Sequence, residues 1–136
     1  MSVQAIQRVF ATYCRAIDDG RLDDVAKLYA ADGALVLEAF GVRATGPVEI
    51  RAKLTEITDP RIKATHASFN HQIDVDGSKA NATADFIVID STGAPKIIVV
   101  GRYFAKFVLV GSDWKIKEWN IEIRANAFTP AADPPR

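Results

Sequence analysis

The sequence lacks several features that define specialised classes of protein. It has one cysteine, so no disulfide can form within the chain, and we expect a reducing compartment such as the cytoplasm. No apolar run approaches the roughly 20 residues needed to span a bilayer. The first ten residues hold no charged segment followed by an apolar one, so we expect no signal peptide. Eight glycines and six prolines are too few for a low-complexity chain.

An excess of charge of one sign is also missing. The chain carries 17 basic and 17 acidic side chains, so its formal net charge is zero. Nucleic-acid binding needs a basic surface that displaces counterions, and attachment to an anionic membrane needs a polybasic segment. We therefore expect neither nucleic acid nor a membrane as a partner.

What the sequence does have is enough apolar material for one core. Of its 136 residues, 49% are hydrophobic, which suits a single folded domain. No repeat, linker or charge block divides the chain. We predict one domain over residues 1–128 and an irregular, proline-rich tail over residues 129–136.

The first part of the chain is predicted to be helical. Apolar residues recur there at three- and four-residue spacing, after Ser2 as a plausible N-cap. The predicted helices run from Ser2 to before Gly20, from Asp24 to Tyr29 with Asp23 as cap, and from Pro47 to before Asp59-Pro60. Residues 33–44 are predicted to form a short strand pair with Gly41 in its turn.

From residue 63 onward the apolar period changes to that of strands. Turns at Asp76-Gly77, Thr92-Gly93 and Gly111-Ser112 separate the segments. The four predicted strands are residues 63–75, 79–90, 95–110 and 113–124. Three helices followed by a meander of long strands predict an α+β fold, with the helices on one face of an antiparallel sheet.

The third long strand is apolar on both faces. Alternation places Ile97, Tyr103 and Phe107 on one side, and Ile98 and Phe104 on the other. A strand with one wet face alternates apolar with polar residues, so both faces of this one are expected to be covered. Because the helices can cover only one face, we predict a homodimer that packs sheet to sheet.

Asp18 is the first candidate for chemistry. It lies at the flank of the apolar stripe of the first helix, in the last turn, where the helix dipole disfavours a carboxylate. Two interpretations stay open on these grounds. Asp18 is either a solvated turn residue paired with Arg15 or Arg21, or a carboxylate held there for a function.

The two histidines are the next candidates. By strict alternation His71 shares a face with Ile73 and Val75, whereas His66 does not. A β-bulge between the two histidines would reverse that phase. Each also fits a plain strand histidine that is exposed or bonded to the backbone.

A series of short motifs along the chain carries a family resemblance. The motifs are Tyr13–Asp18, Asp32-Gly33, Thr45-Gly46, His66 followed by Asn70, Val75-Asp76-Gly77, Gly101-Arg102-Tyr103 and Trp114-Lys115-Ile116. In this order and spacing, over residues 3–124, they resemble the SnoaL-like branch of the nuclear transport factor 2-like superfamily. The resemblance implies a cystatin-like cone, in which three N-terminal helices pack on a curved, mostly antiparallel sheet around an apolar pocket.

The resemblance also implies a site. The family includes scytalone dehydratase, bile acid 7α-dehydratase and hexachlorocyclohexane dehydrochlorinase. Tyr13, Asp18 and His66 stand at positions that match the tyrosine, aspartate and histidine of the bile acid dehydratase. The dehydrochlorinase pairs an aspartate with a histidine at the positions of Asp18 and His66, and an asparagine follows as Asn70 does here. The resemblance thus favours His66 over His71.

These residue types suit proton abstraction. Neutral imidazole is a base that works near neutral pH, and a carboxylate that accepts its other N–H fixes the tautomer. His66 would be the general base, Asp18 its partner, and Tyr13 a donor to a developing oxyanion or a departing hydroxyl. Aromatic and apolar residues are the predicted pocket lining, although each also fits ordinary core: Phe10, Tyr29, Leu54, Phe69, Phe86, Tyr103 and Trp119.

We therefore predict a lyase or isomerase that needs no cofactor and acts on a small, apolar, cyclic substrate. Two histidines without suitably spaced acids also predict no metal site. Polar groups that relatives carry on the later strands are not matched at Leu109, Ala105 or Lys106, and Asp85 is the remaining candidate for a second acid. The alternatives are a protein that binds a hydrophobic ligand without turnover, or an accessory subunit like the small subunit of ring-hydroxylating dioxygenases.

Overall fold

The structure is a computed structural model, and it describes residues 2–128. The predicted tail, residues 129–136, lies outside the described part. The elements are α1 (Ser2–Asp18), α2 (Leu22–Ala26), β1 (Tyr29–Leu37), a 3₁₀ turn (Glu38–Phe40), β2 (Val42–Thr45), α3 (Pro47–Ile57), β3 (Ala64–Asp76), β4 (Lys79–Asp90), β5 (Lys96–Val110) and β6 (Asp113–Asn126).

Three helices and one six-stranded sheet make up this fold. The strand order is β2-β1-β6-β5-β4-β3, so β2 and β3 are the edge strands. Every pairing is antiparallel except that of β1 with β6. The α+β class predicted from the sequence is confirmed, and the strands from β3 to β6 form the predicted meander.

The core lies between the helices and one face of this sheet. The apolar stripe of α1 supplies Ile6 and Phe10, the sheet supplies Phe107 and Trp119, and α3 supplies Ile50, all of them fully buried. Burial of apolar surface of this kind is the main stabilising term in folding. Within residues 2–128, no helix is long and apolar enough to cross a membrane.

The second helix and the strand after it differ from the prediction. The helix begins at Leu22 and ends at Ala26, with Arg21 rather than Asp23 at its N-cap position, and Tyr29 opens β1. β1 therefore starts four residues before the predicted strand pair. The physical reason is Gly33, because a Cβ there would lie 2.5 Å from the Ile116 carbonyl oxygen. Glycine lets the two backbones approach and the strand continue through Asp32-Gly33.

The phase of β5 also differs from strict alternation. Val88 pairs with Val99 but Ile89 pairs with Ile97, so Ile98 is an extra residue on β5. This bulge turns Ile98 into the core, where it is 6% exposed, and leaves Ile97 57% exposed. Strict alternation had placed Ile97, and not Ile98, on the same face as Tyr103 and Phe107, because an unbroken period of two does not include a bulge.

Gly101 lets an aromatic ring pack against the backbone of β5. A Cβ at this position would lie 2.2 Å from the Glu122 carbonyl oxygen and 2.6 Å from the Phe86 ring. Phe86 in turn stacks on Tyr103, with ring centroids 4.2 Å apart. A side chain at residue 101 would therefore disturb both the sheet and this stack.

We predict that Gly101→Ala destabilises the protein by about 2 kcal/mol, because overpacking forces backbone shifts. Urea denaturation measures the change in unfolding free energy. Gly93→Ala is the matched control, since nothing lies within 4 Å of a Cβ there, and it should be close to neutral. Equal stability of the two variants would contradict the role given to Gly101.

Candidate active site

Asp18 and His66 meet at the junction of α1 and β3. The Nδ1 atom of His66 lies 2.6 Å from Oδ1 of Asp18. The backbone N–H of His66 also donates to the same carboxylate, with distances of 3.0 Å to Oδ1 and 2.9 Å to Oδ2. Of the two interpretations of Asp18, the solvated turn residue paired with Arg15 or Arg21 is therefore wrong. We call these two residues the dyad.

The topology explains why the carboxylate is held there. β3 is an edge strand, so alternate backbone N–H groups on its outer side have no strand to bind. The last residue of α1 lies beside that edge and accepts the N–H of His66. This hydrogen bond satisfies a backbone N–H of the edge strand. It also offsets the unfavourable interaction of the Asp18 carboxylate with the C-terminal end of the helix dipole.

The geometry selects one tautomer of the imidazole. An ionised carboxylate can only accept, so in the neutral form of the imidazole the proton of the 2.6 Å bond is on Nδ1 of His66. The Nε2 atom is then the nitrogen that can take a proton. Both side chains are partly buried, with 21% of His66 and 17% of Asp18 exposed. The imidazole is therefore held in one orientation while part of its side chain stays exposed.

A β-bulge lies between the two histidines. Phe69 pairs with Asp85 and Gln72 pairs with Thr83, so two residues of β3 stand opposite one residue of β4. Asn70 has a φ of 56°, the left-handed conformation that asparagine tolerates better than most residues. The bulge reverses the phase of the strand, and both histidines face α1. The β-bulge that the sequence analysis left open is therefore present.

The side chains of α1 and β3 pair along this junction. Asp18 contacts His66, Cys14 interacts with Ser68, and the ring of Phe10 meets the ring of His71 edge to face with centroids 5.0 Å apart. The helix residues are four apart and therefore share one face. Ser68 was missed although strict alternation already places it on the face of His66, and the bulge adds His71 to that face.

Cys14, Ser68 and His71 form a short polar chain beside the dyad. The Ser68 hydroxyl lies 3.0 Å from Nε2 of His71, and Ser68 also interacts with the Cys14 thiol. Burial raises the pKa of Cys14 to about 11, so it is a thiol at neutral pH. Burial lowers the pKa of His71, because the protonated ring loses solvation.

Tyr13 lies deeper than the dyad. Its hydroxyl is 2.7 Å from that of Tyr29, and its ring stacks on Trp119 with centroids 4.2 Å apart. Burial raises the pKa of both tyrosines, so both stay protonated. The structure thus joins two of the three predicted catalytic residues directly and gives the third a tyrosine as its partner.

The predicted pocket residues do not all surround one space. Six of them are buried in the core: Phe10, Tyr29, Leu54, Phe86, Tyr103 and Trp119. The seventh, Phe69, is 40% exposed and faces away from α1. Burial raises the pKa of Tyr103, and the electrostatic influence of Cys14, Tyr13 and Asp18 adds to that rise.

Two cavities lie on the opposite face of the sheet. Their volumes are about 570 and 410 Å³, and both include Gln72 and Thr83. The smaller one contains Asp85, which binds Arg102 at 2.7 Å and Asn70 at 3.0 Å. Asn70 and Asp85 therefore form a polar group outside the dyad. Within residues 2–128, no group of three His, Cys, Asp or Glu side chains is placed to hold a metal ion.

The fold and the dyad together define an α+β protein with a carboxylate–imidazole pair between its first helix and its sheet. The sequence matches the SnoaL-like domain over residues 2–120, and the chain belongs to the SnoaL-like family. No curated protein matches the chain with significant sequence similarity.

Solved structures agree with this assignment of the fold. A protein of unknown function with a cystatin-like fold from Nostoc punctiforme superposes with a TM-score of 0.84 at 18% identity, covering 93% of this chain and 94% of its own. A scytalone dehydratase candidate from Novosphingobium aromaticivorans gives 0.80 at 24% identity, covering 98% and 92%. The beta subunit of a candidate aromatic-ring-hydroxylating dioxygenase from the same organism gives 0.74 at 20% identity, covering 88% and 87%. The predicted cystatin-like, nuclear transport factor 2-like fold is confirmed.

The lowered pKa of His71 makes stability depend on pH. His71 binds a proton less tightly in the folded protein than in the unfolded chain. As the pH falls through the usual histidine range, the unfolded chain therefore binds more protons than the folded protein does. We predict that the unfolding free energy decreases from pH 7.5 to about 5.5, and that His71→Gln reduces this decrease. Urea denaturation at both pH values measures it. An equal decrease of the unfolding free energy in the wild type and in His71→Gln would show that His71 does not cause the pH dependence.

Proposed function

We propose that this protein is a lyase or isomerase that works without a cofactor and removes a proton from a small, largely apolar, cyclic substrate. The observation that carries the proposal is the 2.6 Å bond between Asp18 and His66, which leaves Nε2 of a partly exposed imidazole as a base. The similarity to a scytalone dehydratase candidate supports the same chemistry.

Each member of the site has a separate role in this proposal. His66 is the catalytic residue, because its Nε2 takes the proton. Asp18 is a positioning residue that fixes the tautomer and stabilises the imidazolium once it forms. Tyr13 donates a hydrogen bond to the developing oxyanion or departing hydroxyl, while Tyr29 donates to the Tyr13 oxygen and so frees the Tyr13 proton.

Access to the interior requires side-chain movement. The rings of Phe10, Tyr13, Tyr103 and Trp119 lie within contact distance of one another. A substrate that reaches past His66 must therefore displace at least one of them. Phe10 is the ring that meets His71 at the α1–β3 junction, so we expect it to move when a substrate enters.

We predict that His66→Gln and Asp18→Asn each lower kcat/KM by at least about 100-fold, the range of general acid–base catalysis. The assay uses a panel of hydroxylated, halogenated and ketonic alicyclic or steroid-like compounds. Asp19→Asn is the matched control: Asp19 is the neighbouring carboxylate, is 62% exposed and pairs with Arg21. Wild-type protein that turns over no compound, or variants as active as wild type, would overturn the proposal.

Binding without turnover is the second candidate. It is favoured by the apolar residues at the strand positions where related enzymes carry polar groups, such as Ala105, which is buried. In that case the wild type binds apolar compounds, and both dyad variants retain the affinity. Turnover assays with the same panel of compounds, followed by calorimetric measurement of their binding, distinguish binding alone from catalysis.

We also propose that two copies associate through the outer face of the sheet, as the composition of β5 predicts. Val100 and Phe104 are 38% and 40% exposed on that face. Exposed apolar groups at the centre of a sheet are typical of an interface. The similarity to a dioxygenase beta subunit is consistent with assembly into an oligomer.

Sedimentation at micromolar concentration tests this association. We predict a dimer for the wild type and a monomer for Phe104→Asp, because a buried, unpaired carboxylate disfavours the interface. Val48→Asp is the control, since Val48 is 86% exposed on α3 and away from the sheet face. A monomeric wild type would exclude the proposed dimer.

A further inference from the structure

The bulge in β3 is bound from the opposite face of the sheet by a group of three side chains. The side-chain amide of Asn70 donates to Oδ2 of Asp85 at 3.0 Å, and Nε of Arg102 donates to Oδ1 of the same carboxylate at 2.7 Å. The Asp85 and Arg102 side chains are 21% and 36% exposed, so solvent screens their attraction only in part. We call these three residues the outer cluster.

Asn70 connects the outer cluster to the backbone of the bulge. Asn70 and His71 are the two residues of β3 that stand opposite one residue of β4. The φ of 56° at Asn70 is a conformation that glycine adopts at the least cost, and glycine is the usual first residue of a bulge of this kind. A glycine, however, would have no side chain to bind Asp85. The asparagine therefore ties the bulge to β4 at a position where the backbone alone favours glycine.

The direction of His71 depends on this bulge. The ring lies edge to face with Phe10 on the α1 side of the sheet, with centroids 5.0 Å apart, and its Nε2 atom lies 3.0 Å from the Ser68 hydroxyl. His71 also borders the cavity of about 410 Å³ that contains the outer cluster. The imidazole therefore has space on its other side, and its contact with Phe10 persists only while residues 70 and 71 keep their backbone direction.

We propose that Asp85 is a positioning residue that fixes the direction of His71 through Asn70. Arg102 orients the Asp85 carboxylate, whose second oxygen then accepts from Asn70. His71 in turn supports the Phe10 ring at the α1–β3 junction. A carboxylate on one face of the sheet thus controls an aromatic contact on the other face. The positioning of His71 stands on these contacts alone, whereas its consequence for substrate entry past Phe10 rests on the proposed function.

Nuclear Overhauser effects between the ring protons of His71 and Phe10 measure this positioning without a substrate. We expect these effects in the wild type, because the ring centroids are 5.0 Å apart, and we expect their loss in Asn70→Gly and in Asp85→Ala. Asn70→Gly keeps the left-handed conformation available and removes the side-chain bond, so it separates the bond from the bulge itself. His71→Gln assigns the signal, since the chain has two histidines.

Two further variants are the controls, and both should keep the effect between His71 and Phe10. In Asp85→Asn the new amide can donate to Asn70, whose own amide turns and accepts, so the link to the bulge is retained. Glu118→Ala removes another partly exposed carboxylate, which pairs with Lys106 on β6, three strands away from β3 in the sheet.

The outcome of these measurements decides the inference. An effect that is absent from the wild type, retained in Asn70→Gly or Asp85→Ala, or lost in either control would overturn it. If one of the two variants that break the link does not fold, the other decides.

The pKa of His71 is a second readout that a merely structural role would not change. Asn70→Gly alters no charge, and it leaves in place Asp85 and Arg102, which line the same cavity, and the neutral Cys14 thiol on α1. An imidazole that turns from α1 into this cavity regains hydration, so we expect its lowered pKa to rise toward the ordinary histidine value. NMR titration measures the change. A pKa as low in Asn70→Gly as in the wild type would contradict the inference.

Kinetics separate this inference from the proposed function. A Phe10 ring that is held less firmly should admit bulky compounds more readily. We expect Asn70→Gly to raise the ratio of kcat/KM for steroid-like compounds to that for monocyclic compounds about tenfold, the lower end of the discrimination that pocket contacts provide. A wild type without turnover would remove the proposed catalysis, while the Overhauser effects still decide the positioning of His71. An unchanged ratio together with lost Overhauser effects would keep that positioning and remove the role of Phe10 in substrate entry.

Discussion

The hydrogen bonds between Asp18 and His66 are the contact on which the rest of the site depends. They fasten the end of α1 to an edge strand, because the carboxylate accepts both the backbone N–H and the imidazole N–H of one residue. A backbone N–H of the edge strand and the imidazole of His66 are thus both bound by the same carboxylate. Removal of the carboxylate would leave a free edge donor and an imidazole of undefined tautomer.

Behind that contact, the interior is built from aromatic rings and a few polar atoms. The hydroxyls of Tyr13 and Tyr29 bind each other, and Ser68 links Cys14 to His71. Trp119 Nε1 is the exception among these buried polar atoms. In a desolvated space, each polar group either has a partner or imposes a cost on folding.

Much of the fold followed from local patterns. The bounds of α1 and α3, the four long strands and the turns between them agree with the structure to within a few residues, because apolar period and turn residues act locally. Prediction did less well where the backbone departs from regular geometry. The early start of β1 depends on the close approach of Gly33 to β6, and the facing of Ile98 depends on a bulge.

The sequence by itself determined the fold class, and its resemblance to a family pointed to Asp18 and His66, since motif order and spacing survive where overall identity is low. The tertiary structure alone decided that the two touch, because β3 must be an edge strand for its N–H to face α1. It also decided that a bulge turns His71 toward α1 and that, within residues 2–128, Trp119 Nε1 has no partner. Contacts between residues 48 positions apart are set by packing, which no local pattern records.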